Sequence, residues 1–342
     1  MNIKPQQFAA LAVVTVVAVA IAGVSYAAAN RWSAGKVEGA MLLPSLGSEI
    51  ANAALIEIVQ GDKKLVLARS GEQWALKDRD NYPANAERVR ALLLTLQRAE
   101  LIEPKTAAKD KLKLLDLEEP TAKDAKSRNV RVIDKQGRSI GEIVLGKTRV
   151  DAFGAGKGGT YVRRPAETQA WLATGDPKAP LEFRDWVQTT VFESDSTKVA
   201  RITLEHPGEA PLVIEKDAAS DRKFKLADLP EGQKLKEGVN VDQIAQGFGS
   251  IDLEDVRKLD GVPAGDKVSV LKLETDGGLV ATFRVRKDGD THWLSIVATG
   301  SEGEAKKTAD DINARAKGWE FKVPSWKADQ IGKRRSDLVE TS

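Results

Sequence analysis

The chain has 342 residues, with 52 Lys plus Arg against 50 Asp plus Glu, and no cysteine. So even a balance lacks the basic footprint that non-specific nucleic-acid binding requires. Without cysteine there is no disulfide framework, thiolate metal site, cysteine nucleophile or lipid-modified cysteine.

From the N-terminus, Phe8–Ala29 carries no charge. At about 1.5 Å per residue it would reach about 30 Å as a helix, enough to cross a bilayer core. Lys4 precedes it, which favours a cytoplasmic N-terminus; Arg31 and Lys36 follow and weaken that bias. Residues 1–30 therefore read as a retained membrane anchor. That predicts a single-pass protein of the bacterial inner membrane, with the residues after 30 in the periplasm. The competing reading is a signal peptide cleaved after Ala29, because Ala27-Ala28-Ala29 meets the small-x-small rule. The apolar run is longer than a usual signal core and favours the anchor.

Beyond the anchor the same pattern occurs twice. Ala54–Val59 and Lys64–Arg69 alternate as strands around Gln60-Gly-Asp-Lys63, a hairpin-like turn. Glu72–Leu76 follows, and then Asn85–Leu96 reads as an amphipathic helix capped by the Asn85 side chain. Three further strands are predicted at Val130–Ile133, Ile140–Leu145 and Thr160–Arg163. In the second half, Val199–Leu204, Pro211–Lys216 and Lys223–Leu226 precede a helix over Asn240–Ile251. Strands at Val268–Leu273, Leu279–Val285 and His292–Ile296 then complete it. Val89 aligns with Ile244, Leu93 with Phe248 and Leu96 with Ile251. Short alternating strands with tight turns mean antiparallel sheets with one wet face. The predicted fold class is α+β: two tandem units, 48–190 and 191–332, each β-β-β-α-β-β-β with one helix on its sheet. Residues 333–342 read as a charged, frayed tail.

Trp171 and Trp186 follow the last strand of the first unit, and Trp319 and Trp326 that of the second. The plain reading is that these rings close the open ends of the sheets. The functional reading is an interaction surface.

No catalytic constellation emerges. Gly154-Ala-Gly156-Lys-Gly158-Gly159 contains G-x-G-x-x-G, yet a dinucleotide site needs a helix after it, and Thr160–Arg164 reads as a strand. His206 precedes Pro207 in a turn and His292 begins a strand; neither has a second histidine at metal spacing. No G-x-S-x-G elbow occurs. Glu118, Glu119, Asp252, Glu254 and Asp255 could serve a two-carboxylate hydrolase, but they read better as solvated charge. No catalytic, cofactor or metal residue is assigned.

The order of several short motifs carries a resemblance. These are Trp74-x-Leu76, Pro83-Ala-Asn85, Leu115-Asp116-Leu117-x-x-Pro120, Ile143-x-Leu145-Gly146, Gly159-Thr-Tyr161-Val162-Arg163 and Phe183-Arg184-Asp185, all behind an N-terminal apolar segment. The chain resembles the bacterial domain-of-unknown-function 4340 family, best over 50–190. The usual Gly-Leu-Asp of that family is Leu114-Leu115-Asp116 here. Such proteins are similar to envelope components encoded beside gliding-type ABC transporters. No catalytic residues are established for the family, so none carry over. The resemblance implies a membrane-anchored, non-enzymatic accessory or scaffold, with ABC transporter subunits or other envelope proteins as partners. The alternative is a periplasmic binding module for cell-wall glycan or peptide. A carboxylate-dependent hydrolase ranks last.

Overall fold

The computed structural model describes residues 15, 17–22, 40–218, 223–229, 231–261 and 268–340. The chain divides into two compact units. The first comprises residues 1–69 and 87–181, the second 70–86 and 182–342.

The first unit contains β1 (Ala40–Met41), α1 (Pro44–Glu49), β2 (Ala53–Gln60), β3 (Lys63–Ser70), α2 (Ala86–Arg98), β6 (Glu100–Pro104), α3 (Lys109–Leu112), β7 (Arg128–Asp134), β8 (Ser139–Arg149), β9 (Gly159–Arg163) and β10 (Ala170–Thr174). Between β3 and α2 the chain forms β4 (Gln73–Leu76) and β5 (Tyr82–Pro83), an antiparallel hairpin that belongs to the second unit. In the first unit the strand order runs β1-β6-β10-β9-β8-β7-β2-β3. Alternation makes the core: Val130 and Val132 of β7 and Ile56 and Ile58 of β2 are almost fully buried. Val89, Leu92, Leu93 and Leu96 form the buried stripe of α2, the helical spacing that puts them on one face.

The second unit continues with β11 (Thr190–Glu193), β12 (Val199–Glu205), β13 (Leu212–Lys216), β14 (Phe224–Leu226), α4 (Val241–Gln246), β15 (Ser250–Asp252), β16 (Asp255–Lys258), β17 (Val268–Thr275), β18 (Leu279–Asp288), β19 (Thr291–Gly300), α5 (Gly303–Ala316), β20 (Trp319–Val323), α6 (Ser325–Ile331) and α7 (Arg335–Leu338). Its sheet is ordered β14-β13-β12-β17-β18-β19-β20-β16, while β11 and β15 pair separately. Stripped of β1 and β14, the two orders are the same, β6-β10-β9-β8-β7-β2-β3 matching β16-β20-β19-β18-β17-β12-β13. Tyr82 of the β4–β5 hairpin meets Trp319 edge to face at 4.9 Å. Burial of its phenol pushes the pKa up to about 12, the nearby Arg315 charge offsetting part of that rise.

The fold expected from sequence, a transmembrane helix followed by two one-helix α+β units, is corrected. Antiparallel strands dominate and form three sheets. The second unit is covered by a long helix that the pattern did not reveal, α5, which buries Ala305, Ala309, Ile312 and Ala316. Its counterpart of α2 is cut short. Asn240 does cap α4, its Oδ1 accepting from the Gln243 amide at 3.0 Å, but the helix ends at Gln246. Gly247 and Gly249 favour an exit there, and Lys327 Nζ takes the freed carbonyl oxygens of Gly247 at 2.6 Å and Ser250 at 3.1 Å. Phe248 and Ile251 are buried without being helical.

Among the described residues no helix is long and apolar enough to cross a membrane. Most of Phe8–Ala29, including Ala27–Ala29, lies outside the described residues. The expected transmembrane helix, and the single-pass inner-membrane location built on it, are corrected accordingly. At the other end, the segment from residue 333 is anchored: Leu338 and Val339 are buried, and Lys236 Nζ donates to Ser336 O at 2.6 Å.

Candidate functional site

The described histidines lie at one end of the second unit's sheet. Successive antiparallel pairs bring Ser269 opposite Val285, and Lys287 opposite His292, so β17, β18 and β19 each contribute to one rim. Helix α6 and the chain after it provide the other wall through Ala328, Asp329, Gly332, Lys333 and Asp337. Together they enclose a cleft of about 430 Å³.

His206, buried just past β12, fastens this cleft. Its Nε2 lies 2.8 Å from the Lys333 carbonyl oxygen. A carbonyl can only accept, so Nε2 carries the proton. In the neutral ring Nδ1 is then an acceptor, and Ser269 Oγ, 3.2 Å away, donates to it. His206 thereby ties residue 333 to the sheet and turns the Ser269 lone pairs away from itself. The Nδ1 of His292 is buried and without a hydrogen-bond partner among the described residues. A bare lone pair is easier to leave unpaired than an N–H.

A second cavity, of about 660 Å³, lies between the end of β11 and α5, lined by Glu193, Asp195, Asp311 and Arg315 among others. Hydrogen bonds from the Thr197 hydroxyl and amide hold the Asp195 carboxyl below the usual carboxylate range, burial opposing them. Asp195 is therefore committed to the turn at Ser196–Lys198. Among the described residues no group of three His, Asp or Glu side chains is arranged to hold a metal.

The tryptophans named from sequence have different environments. Trp186 is fully buried and Trp319 is half-buried against Tyr82. Trp171 is half-buried on β10 of the first unit. Trp326 is 59 % exposed on α6. The acidic candidates are scattered: Glu119 pairs with Arg163 at 3.0 Å, Glu254 with Lys322 at 3.5 Å and Asp255 with Arg79 at 2.6 Å, while Glu118 accepts from the Lys126 amide and Asp252 from the Thr190 hydroxyl. The glycine-rich run leads into strand β9. Ser269, Lys287, Asp329, Lys333 and Asp337 went unnoticed in the sequence, since only strand register and the return of the C-terminal segment bring them together.

The first-unit motifs converge on one packing joint. A Cβ on Gly146 would lie 2.3 Å from the Leu115 carbonyl oxygen and 2.8 Å from that of Asp116. Asp116 takes the left-handed conformation, φ 53°, and Leu117 is fully buried. The buried Arg163 donates from Nε to Leu117 O at 3.2 Å and from Nη1 to Pro165 O and Glu167 O. Leu-Asp-Leu, Leu-Gly and Tyr-Val-Arg are thus parts of one loop-on-strand contact.

Fold and motifs define a class, an internally repeated protein of antiparallel sheets. The family described as a domain of unknown function, DUF4340, matches residues 74–275. The match spans more than half of the chain, which belongs to this family. No curated protein matches it.

Proposed function

We propose that the chain is a non-enzymatic accessory protein that works by contact with other proteins. The partner suggested by the family resemblance is a component of an ABC-type transport system. One observation carries this reading: Trp326 is 59 % exposed on a helix that is firmly held. Its neighbour Lys327 is buried, and burial pushes its ammonium pKa down, the Asp252 charge partly opposing. That ammonium binds two backbone carbonyls and lies 4.7 Å from the centre of the Trp326 ring. Ala328 and Ile331 of the same helix are buried. The phase of α6 therefore fixes the ring in solvent, and a preorganised aromatic loses little entropy on docking.

The test is co-purification of the full chain with candidate transporter subunits, comparing wild type with Trp326→Ala. The variant should keep its stability to within about 0.5 kcal/mol, as expected for an exposed site, and lose at least tenfold in captured subunit. Equal capture by the two proteins would refute the reading.

A further inference from the structure

The cleft beneath α6 contains an arrangement of charge that the contact reading does not use. Lys287 and Lys333 bring two ammonium groups to its lining, and Asp329 and Asp337 two carboxylates. Neither lysine ammonium is paired with a described residue. One Asp337 oxygen accepts from the Arg334 amide at 2.8 Å, which leaves the other free. His292 brings its ring to the same lining. Ser269, whose proton is engaged by His206 Nδ1, adds an acceptor.

From this we infer that the cleft binds a small zwitterion, an amino acid or short peptide with a free ammonium and a free carboxylate. The carboxylate would lie towards Lys287, Lys333 and His292, and the ammonium towards Asp329, Asp337 and the Ser269 lone pairs. A simple anion would meet two uncompensated carboxylates, and a simple cation two uncompensated ammonium groups. A ligand with both charges satisfies both sets, and specificity of this kind comes from leaving the wrong ligand's partners unpaired. The volume, about 430 Å³, falls within the range of small-molecule sites. The backbone of the walls is also preset. Lys287 and His292 are neighbours across a strand pair, and Lys333 is pinned by its carbonyl to His206. The ordering cost that remains is that of the charged side chains.

Calorimetric titration of the full chain with L-alanyl-L-alanine tests this, alongside the N-acetylated dipeptide, the C-amidated dipeptide and inorganic phosphate. The free dipeptide should bind, and each capped form at least tenfold more weakly. Lys287→Ala should weaken the preference for the free carboxylate and leave that for the free amine. Asp329→Ala should do the reverse. Both positions are exposed, so the variants should match the wild-type urea midpoint. If one does not, capped against free dipeptide on the wild-type chain still decides. No binding of the dipeptide, a capped form binding as tightly as the free dipeptide, or phosphate binding as tightly as dipeptide would each overturn the inference. Trp326→Ala should bind the dipeptide like wild type, so failure here and failure of the contact reading are separate results.

Discussion

Arg286 holds Glu320 through two parallel hydrogen bonds, Nε to Oε1 and Nη2 to Oε2, each 2.7 Å long. Glu320 is fully buried on β20, and Arg257 approaches its other side, Nε to Oε2 at 3.0 Å. The Arg257 guanidinium also lies 3.8 Å from the centre of the Trp293 ring and pairs with Asp288 at 2.9 Å. One carboxylate therefore joins β16, β18 and β20.

Removing that carboxylate leaves two arginines facing each other. Breaking a fully buried pair costs about 3–5 kcal/mol. Arg257 and Arg286 are 31 % and 34 % exposed, so water recovers part of the loss. Glu320→Gln should destabilise the second unit by about 2–3 kcal/mol, read from urea unfolding. A change below about 0.5 kcal/mol, the size of ordinary surface substitutions, would mean that the three strands do not depend on this charge.

Asp134 predicts a specific response to acid. Burial alone would raise its pKa, but the amides of Gln136 and Arg138 and the Arg138 guanidinium outweigh burial and hold it below the usual value. A carboxyl with a lowered folded pKa stabilises the protein above the unfolded pKa of about 3.9, and the benefit vanishes as pH falls through the folded value. Asp134→Asn should therefore be less stable than wild type near neutrality. The gap should narrow as pH falls below about 4. Urea midpoints across that range measure it, and a gap that stays constant with pH would contradict the assignment.

Gly146→Ala addresses the motif joint in the first unit. The added methyl would collide with backbone oxygens of Leu115 and Asp116, which cannot swing aside as a side chain could. Overpacking costs about 1–3 kcal/mol, and backbone contact puts this site at the upper end. The shift should appear in the unfolding of the first unit. If Gly146→Ala unfolds like wild type, the Leu-Asp-Leu segment does not pack on β8 as described.

Several of these relationships could be seen in the sequence, and the reasons differ by residue. Ile202 and Leu204, like Val130 and Val132, alternate as buried strand residues must, and strand periodicity is local. The Asn240 cap is equally local. Phe248 could be recognised as core but not placed off its helix, because α4 ends where Lys327, far along the chain, supplies partners for freed carbonyls. Trp186 could not be told from a surface ring, since composition does not say which aromatic the sheets enclose. The C-terminal segment read as frayed because its charges dominate locally, while Leu338 is buried only through long-range contacts. The cleft was the least legible feature: Ser269 and His292 acquire meaning from the register of β17, β18 and β19, and Lys333 from its bond to His206.

The matched positions Leu93 and Phe248 offer a test that separates the two units. Leu93 is 7 % exposed on α2 and Phe248 is 0 % exposed just past α4. Truncating a buried leucine costs about 2–5 kcal/mol and a buried phenylalanine about 3–5 kcal/mol, depending on how far the cavity collapses. Leu93 retains a little solvent contact, and its loss should fall in the lower half of its range. Phe248 has none, and glycines on both sides give it no side-chain neighbours in sequence that could fill the hole. Phe248→Ala should therefore be the more damaging of the two. Because the residues belong to different compact units, their effects should add within about 0.5 kcal/mol in the double variant. Urea unfolding of both single variants and the double variant gives all three quantities. A cost below about 0.5 kcal/mol at either position, within the range of surface substitutions, would remove that residue from the core. A strongly non-additive double variant would show that the two sites are energetically coupled.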